Sequence, residues 1–343
     1  MQKSILTVGR VALVLVFLVM LAGSVVRMTG SGMGCPDWPK CFGFYIPPTD
    51  EVQLIWKPDQ KYFNGQMIIF EERLLVAQGE FVSGNTLNPD HWKLYEKHDY
   101  AIFNASHTWT EYINRLLGAL SGIPVLLLFV LSLWSIRRDI ITFFLSAMSL
   151  GVLGFVAWLG KLVVDGNLIP HSITYHMFGA LALLALIVAI IFRHRGHRNW
   201  PVNVARHLKW LAGGVFLMTL IQVFMGTRVR EQVDVIAHVA PRMEWIDQLG
   251  NLFLIHRSFS IAIVLLNIWL VFSLIQGGYP NKWPRTLIGL IGVEVFAGVV
   301  LNYFGFPAWA QPVHLLTATF IAAIQLYLCL RLWFGVKHQS VAG

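Results

Sequence analysis

The feature that most constrains this chain is a series of long stretches without a charged side chain. Nothing is charged between Arg10 and Arg27, between Arg115 and Arg137, or between Asp139 and Lys161. The same holds from Asp165 to Arg193, from Lys209 to Arg228 and from Arg257 to Lys282. From Arg285 to Arg331 the only charge is Glu294, and Gly305, Pro307 and Pro312 divide that stretch in two. A helix needs about 20 residues to cross a hydrocarbon core. The pattern therefore predicts an all-α integral membrane protein with eight transmembrane helices. Composition agrees, since 56% of the 343 residues are hydrophobic and 13% are charged, whereas soluble domains carry about 25% charge. A soluble enzyme, a disordered chain and a fibrous repeat are excluded. The first run lacks a clear small-residue cleavage site and has a counterpart later in the chain. It reads as a retained span, not a signal peptide.

The net charge of +8 would suit nucleic acid in a soluble protein, but its distribution points to a membrane and to no nucleic-acid partner. With the N-terminus inside, the inner side holds thirteen cations, from Lys3 and Arg10 through Arg137, Arg138, Arg193, Arg195 and Arg198 to Arg331 and Lys337. One acid, Asp139, stands against them. Nearly all other acids fall in two long outer connections, roughly residues 29–106 and 229–248. This is the positive-inside signature, and it predicts cytoplasmic termini. The aromatic, mixed-charge composition of residues 44–106 suggests a folded lid over the N-terminal half.

The two halves resemble each other. Gly23-Ser-Val-Val-Arg27 ends the first span and Gly226-Thr-Arg-Val-Arg230 ends the fifth. Tyr112-Ile-Asn114-Arg115 opens the second span, and Leu254-Ile-His256-Arg257 opens the sixth. Gly160 precedes His176 by 16 residues, as Gly298 precedes His314. Parallel repeats of this kind share an axis along the membrane normal. The expected architecture is two pseudosymmetric four-helix bundles, residues 1–195 and 196–343, joined by the basic loop Arg193-His-Arg-Gly-His-Arg198.

The repeat places His176, His256 and His314 at one depth, within about two turns of the outer ends of even-numbered spans. Polar rings inside a membrane helix are expensive and mark function; the structural alternative is an imidazole bonded to a neighbouring helix. Facing imidazoles in a helix bundle hold haem iron axially, whereas zinc would want further Cys, Asp or Glu nearby. Arg27, Arg115, Arg230 and Arg257 lie at the outer boundary, suited to haem propionates or to snorkelling toward headgroups.

The segment Gly30-Ser-Gly-Met-Gly-Cys35-Pro-Asp-Trp-Pro-Lys-Cys41, the Glu111-x-x-x-Arg115 start of the second span, and the three placed histidines resemble the haem A synthase family. Gly226-Thr-Arg-Val-Arg-Glu231 with Asp234 also fits, and the likeness covers nearly the whole chain apart from the long first outer loop. The resemblance implies oxidation of the C8 methyl of haem O to the formyl of haem A. It implies a haem b cofactor held by His256 and His314 with Arg257 and Arg230 nearby, and a substrate haem in the N-terminal half near His176, Asn114, Arg115 and Arg27. It makes Glu111 the catalytic carboxylate, and it implies a haem O synthase and a terminal oxidase under assembly as partners, with membrane lipid around the chain. Asn114 departs from the family, which has a histidine there.

Glu111 lies one turn before Asn114, so both can face one interior. A carboxyl in an apolar site can exchange protons, and oxidation of a methyl releases them. The alternative makes Glu111 a helix N-terminal acid favoured by the dipole. Glu294 can pair with another helix or relay protons. His107 precedes Asn114 by seven residues, roughly 10.5 Å along a helix, too far to ligate iron level with Asn114. It is expected at the mouth of the site, on a propionate or a proton path, leaving His176 as the strong ligand. Cys35 and Cys41 can meet as a disulfide in an oxidising outer loop, either as a staple or as a functional thiol pair. Cys329 reads as packing. His91, His98, His194, His197, His207 and His338 read as solvated, while His171 and His238 can approach a propionate. The competing function is a b-type cytochrome that passes electrons between quinol and a partner protein.

Overall fold

The structure, a computed structural model, describes residues 1–96, 103–166, 171–195, 204–280 and 282–335. His98, His197, Arg198, Lys337 and His338, with the centre of the basic loop, lie outside the described residues. The chain runs through α1 (Gln2–Thr29), β1 (Lys61–Tyr62), β2 (Met67–Phe70), β3 (Arg73–Ala77), β4 (Phe81–Val82) and β5 (Trp92–Leu94). Then follow α2 (Ala105–Leu133), α3 (Ile140–Gly166), α4 (Ser172–His194), α5 (Arg206–Ala237), α6 (Asn251–Gln276), α7 (Lys282–Tyr303) and α8 (Ala310–Phe334). All eight helices among the described residues are long and apolar enough to cross a membrane. The expected spans are present, and the chain is a multi-pass membrane protein. Helices are the form an open chain must take in lipid, because each backbone N–H and C=O is satisfied within its own segment.

The chain divides into two compact units. The first holds residues 1–21, 120–156 and 173–343. Within it α5 packs on α6 and α8, and α7 on α6 and α8. Their shared core includes Leu208, Ala212, Leu270, Leu274, Leu287 and Leu328. Large apolar side chains such as Leu217, Ile261, Phe272 and Phe296 point outward, which is the surface lipid requires. Lipid offers little hydrophobic drive for helix association, so polar links between helices count. Gln325 Nε2 on α8 donates to Asn267 Oδ1 on α6 at 2.9 Å, and both residues are buried. Asp139 caps α3: its Oδ1 accepts from the Thr142 N–H (3.1 Å) and from Arg193 (2.7 Å), and its Oδ2 from the Thr142 hydroxyl (2.6 Å). His194, expected in solvent, has a side chain only 6% exposed. Its Nε2 lies 3.0 Å from the Thr142 hydroxyl, because the helix end that carries it packs on this cap.

The second unit holds residues 22–119 and 157–172. The long connection after α1 is folded, with β2, β3 and β5 in one antiparallel sheet and β1 paired with β4. One small core gathers Cys35, Cys41, Phe42, Leu54, Met67 and Leu74. A second gathers Tyr62, Ile68, Ala77 and Trp92. This fold is seated on the first turns of α2. Gly34 comes so close to the His107 carbonyl that a Cβ there would lie 2.5 Å from the oxygen. The Thr108 hydroxyl donates to the Gly34 carbonyl (2.8 Å), and the Trp109 indole donates to the Pro48 carbonyl (3.2 Å).

Candidate functional site

In the first unit the site residues are His256 on α6 and His314 on α8. Each ring lies against a glycine of a neighbouring helix. A Cβ at Gly226 would stand 3.2 Å from His256 Cε1, and one at Gly298 would stand 3.4 Å from His314 Cε1. Both rings therefore pack closely on helix backbone at a glycine, the His256 contact being the tighter of the two. Glu294, one turn before Gly298 on α7, reaches His314: its Oε1 lies 3.0 Å from Nδ1, and its backbone carbonyl 3.3 Å from the same nitrogen. Of the two roles left open for Glu294, pairing with another helix is the one observed. The His256 Nδ1 and Glu294 Oε2 atoms are buried and have no hydrogen-bond partner. The Gln222 amide donates to the His256 carbonyl at 2.9 Å, tying α5 to α6 beside the ring.

The cations around this pair are placed unequally. Arg230 donates to Gln311 (2.5 Å), three residues before His314, and to Asp234 (2.6 Å). Arg257 is exposed and stacks over Phe253 at 5.9 Å. Arg228 pairs with Glu231. The other oxygen of Glu231 accepts from the Thr174 hydroxyl (2.9 Å), two residues before His176 on α4. His176 is half-buried in this unit.

In the second unit the centre is Glu111, 4% exposed on α2. Its Oε2 accepts from the Cys35 backbone N–H (2.9 Å), and its Oε1 from Arg115 (2.5 Å). The Arg115 guanidinium also donates to the carbonyls of Asp37 (2.6 Å), Lys40 (3.0 Å) and Cys35 (3.3 Å). Glu111 and Arg115 thus form one clamp on the loop that Cys35 and Cys41 close as a disulfide, with S–S 2.00 Å. Glu111 stands in the second turn of α2 and is paired with Arg115. The Asp37 carboxyl, outside the spans, is pushed above its ordinary range by burial, against the N–H groups of Gly43 and Phe42 and the charge of Arg115. Asn114 lies one turn beyond Glu111, and its Oδ1 is buried without a hydrogen-bond partner. A Cβ at Gly23 would lie 3.7 Å from that oxygen. Gly23 of α1 thus lies beside Asn114 of α2, and Gly226 of α5 beside His256 of α6. His107 stands in the first turn of α2, where its N–H donates to Asn104 Oδ1 (3.1 Å). Arg27 lies in the last turn of α1.

Sequence reasoning missed two features. It treated Glu294 as undecided, although Glu294 and Gly298 are four residues apart and share a helix face. It also gave Arg115 to a haem propionate or to the headgroups, and a run of loop carbonyls leaves no signal in a sequence.

The fold and these side chains define a multi-pass helical membrane protein that carries imidazole and carboxylate groups within its spans. Residues 7–71 and 89–326 match the COX15-CtaA family, described as cytochrome oxidase assembly protein, and the chain belongs to that family. A protein of Shewanella oneidensis named heme A synthase is 26% identical over 84% of this chain and 85% of its own length. Proteins of the same name from Rickettsia felis and Beijerinckia indica are 22% and 24% identical, over 95% and 88% of this chain and 98% and 85% of their own lengths.

Proposed function

We propose that the chain is a haem A synthase, oxidising the C8 methyl group of haem O to a formyl group. The observation that carries this reading is the different equipment of two corresponding helix starts. One has His256 facing Gly226, with His314 on α8 facing Gly298. The other has Asn114 facing Gly23, with a buried, clamped Glu111 one turn away. A b-type cytochrome needs the first arrangement and has no use for the second.

The residues present fit a haem b between His256 and His314. Both offer imidazole, the two glycines leave the rings in place, and 29% of the His314 side chain is still accessible inside a span. His256 and His314 offer two imidazoles, a donor set that suits axial ligation of a porphyrin iron. When bound, this haem supplies one-electron redox chemistry. Arg230 and Arg257 are the cations assigned to its propionates, with Arg230 steadied by Asp234 and Gln311. His176 is assigned to the substrate iron, with Arg27 and His107 at the mouth. Methyl oxidation releases protons, and Glu111 is the group assigned to accept them. Arg115 and the Cys35 N–H hold its two oxygens in place, so that a proton is received at a fixed position. Arg115 therefore orients Glu111.

The membrane is assigned as a bacterial cell membrane, with both termini cytoplasmic and the disulfide fold on the opposite side. A haem O synthase would supply the substrate, and a terminal oxidase under assembly would take the product. The test is co-expression with a source of haem O, followed by haem extraction. Formyl haem appearing only with the intact gene is the expected result; unchanged haem O would assign the chain to the cytochrome class.

A further inference from the structure

We infer that Glu294 is a positioning residue that orients His314 and determines which ring nitrogen faces the iron. This rests on the haem b reading above.

The His314 Nδ1 faces two oxygens of one residue, Oε1 at 3.0 Å and the backbone carbonyl at 3.3 Å. A carbonyl oxygen can only accept a hydrogen bond. Nδ1 therefore carries the proton, and the Nε2 lone pair is left for iron. The other carboxyl oxygen of Glu294, Oε2, is buried without a hydrogen-bond partner. Gly298, on the same face of α7, lies beside the same edge of the ring, where a Cβ would stand 3.4 Å from Cε1. A ligating imidazole whose second N–H is bound by a carboxylate is fixed in orientation and is a stronger donor. His256 has no such partner, since its Nδ1 is buried and unbonded.

The repeat does not carry a carboxylate to the matching position of the other half. In the register that aligns His314 with His176 and Gly298 with Gly160, Glu294 aligns with Val156. Valine cannot polarise an imidazole.

The test uses the purified full chain with its resident haem, as wild type, Glu294→Gln, Glu294→Ala and His314→Ala. Glutamine keeps the size and an accepting oxygen but loses the charge. The midpoint potential of the haem should rise in Glu294→Gln and in Glu294→Ala, and the low-spin EPR g-values should shift. A purely structural role would move neither. Haem transfer to apomyoglobin should be about 10–100-fold faster in Glu294→Ala, the usual cost of losing such a partner, and less affected in Glu294→Gln. If Glu294→Ala does not accumulate, Glu294→Gln decides alone through its potential and g-values. If His314→Ala retains the wild-type low-spin spectrum, the haem assignment itself is wrong. If His314→Ala loses that spectrum while Glu294→Gln matches wild type in potential and g-values, the role given to Glu294 is overturned.

Discussion

Glu111 and Asp37 both answer to Arg115, and they illustrate what a buried charge demands. The guanidinium bonds Glu111 and three loop carbonyls. Removing it would leave the carboxylate uncompensated, a loss of about 3–5 kcal/mol for a buried pair. Asp37 has the weaker position. Its Oδ2 accepts from the Gly43 N–H at 2.9 Å, but its Oδ1 is buried and unbonded. Its folded carboxyl therefore holds a proton above the ordinary value of 3.8. A group with a raised folded pKa contributes stability that is fully present below the unfolded value and is lost as pH rises through the folded one. Asp37→Asn removes that loss. Thermal unfolding in detergent should show no gain for the Asp37→Asn variant over wild type below about pH 3.8, and a gain that grows as pH rises above it. A gain that shrinks with rising pH would contradict the reading of Asp37.

Helices and the long connection differ in how far the sequence disclosed them. The eight spans were legible because lipid forces each one to be long, apolar and bounded by charge. The strands after α1 were not. Two of the five have only two residues each, too short for an alternating pattern to register. The β2–β3 hairpin turns at Glu71 and Glu72, with φ of 49° and 60°, where Asn-Gly would have announced the turn. The strain of two left-handed glutamates is tolerated because Met67–Phe70 pairs in register with Arg73–Val76. How this fold meets α2 depends on Gly34. A Cβ there would meet the His107 carbonyl oxygen at 2.5 Å and the Thr108 nitrogen at 2.8 Å. Backbone cannot yield as a flexible side chain does, so Gly34→Ala should lift the loop from α2 and pull the Cys35 N–H from Glu111. Haem A formation should fall about 100-fold, as for an ångström-scale misplacement, while haem b per polypeptide stays constant. Product yield at the wild-type level would mean that the loop does not position Glu111.

Across the whole molecule, two chemistries are assigned to two sets of residues. His256, His314 and Glu294 belong to one compact unit, and Glu111, Arg115 and the disulfide loop belong to the other. The histidines were legible because imidazoles are rare inside spans and the repeat gave them one depth. The clamp on Glu111 was not, since carbonyls of Cys35, Asp37 and Lys40 can be supplied by any residue type and only the folded loop aims them. Such a division makes the two functions separable by mutation. The most direct measurement is to express Glu111→Ala with a haem O source and to quantify haem A, haem O and haem b in the same purified sample. The expected result is no haem A, haem O in its place, and haem b with its low-spin spectrum retained. Haem A at the wild-type level, or loss of haem b together with haem A, would contradict the assignment of Glu111 as the catalytic carboxylate apart from the haem b site.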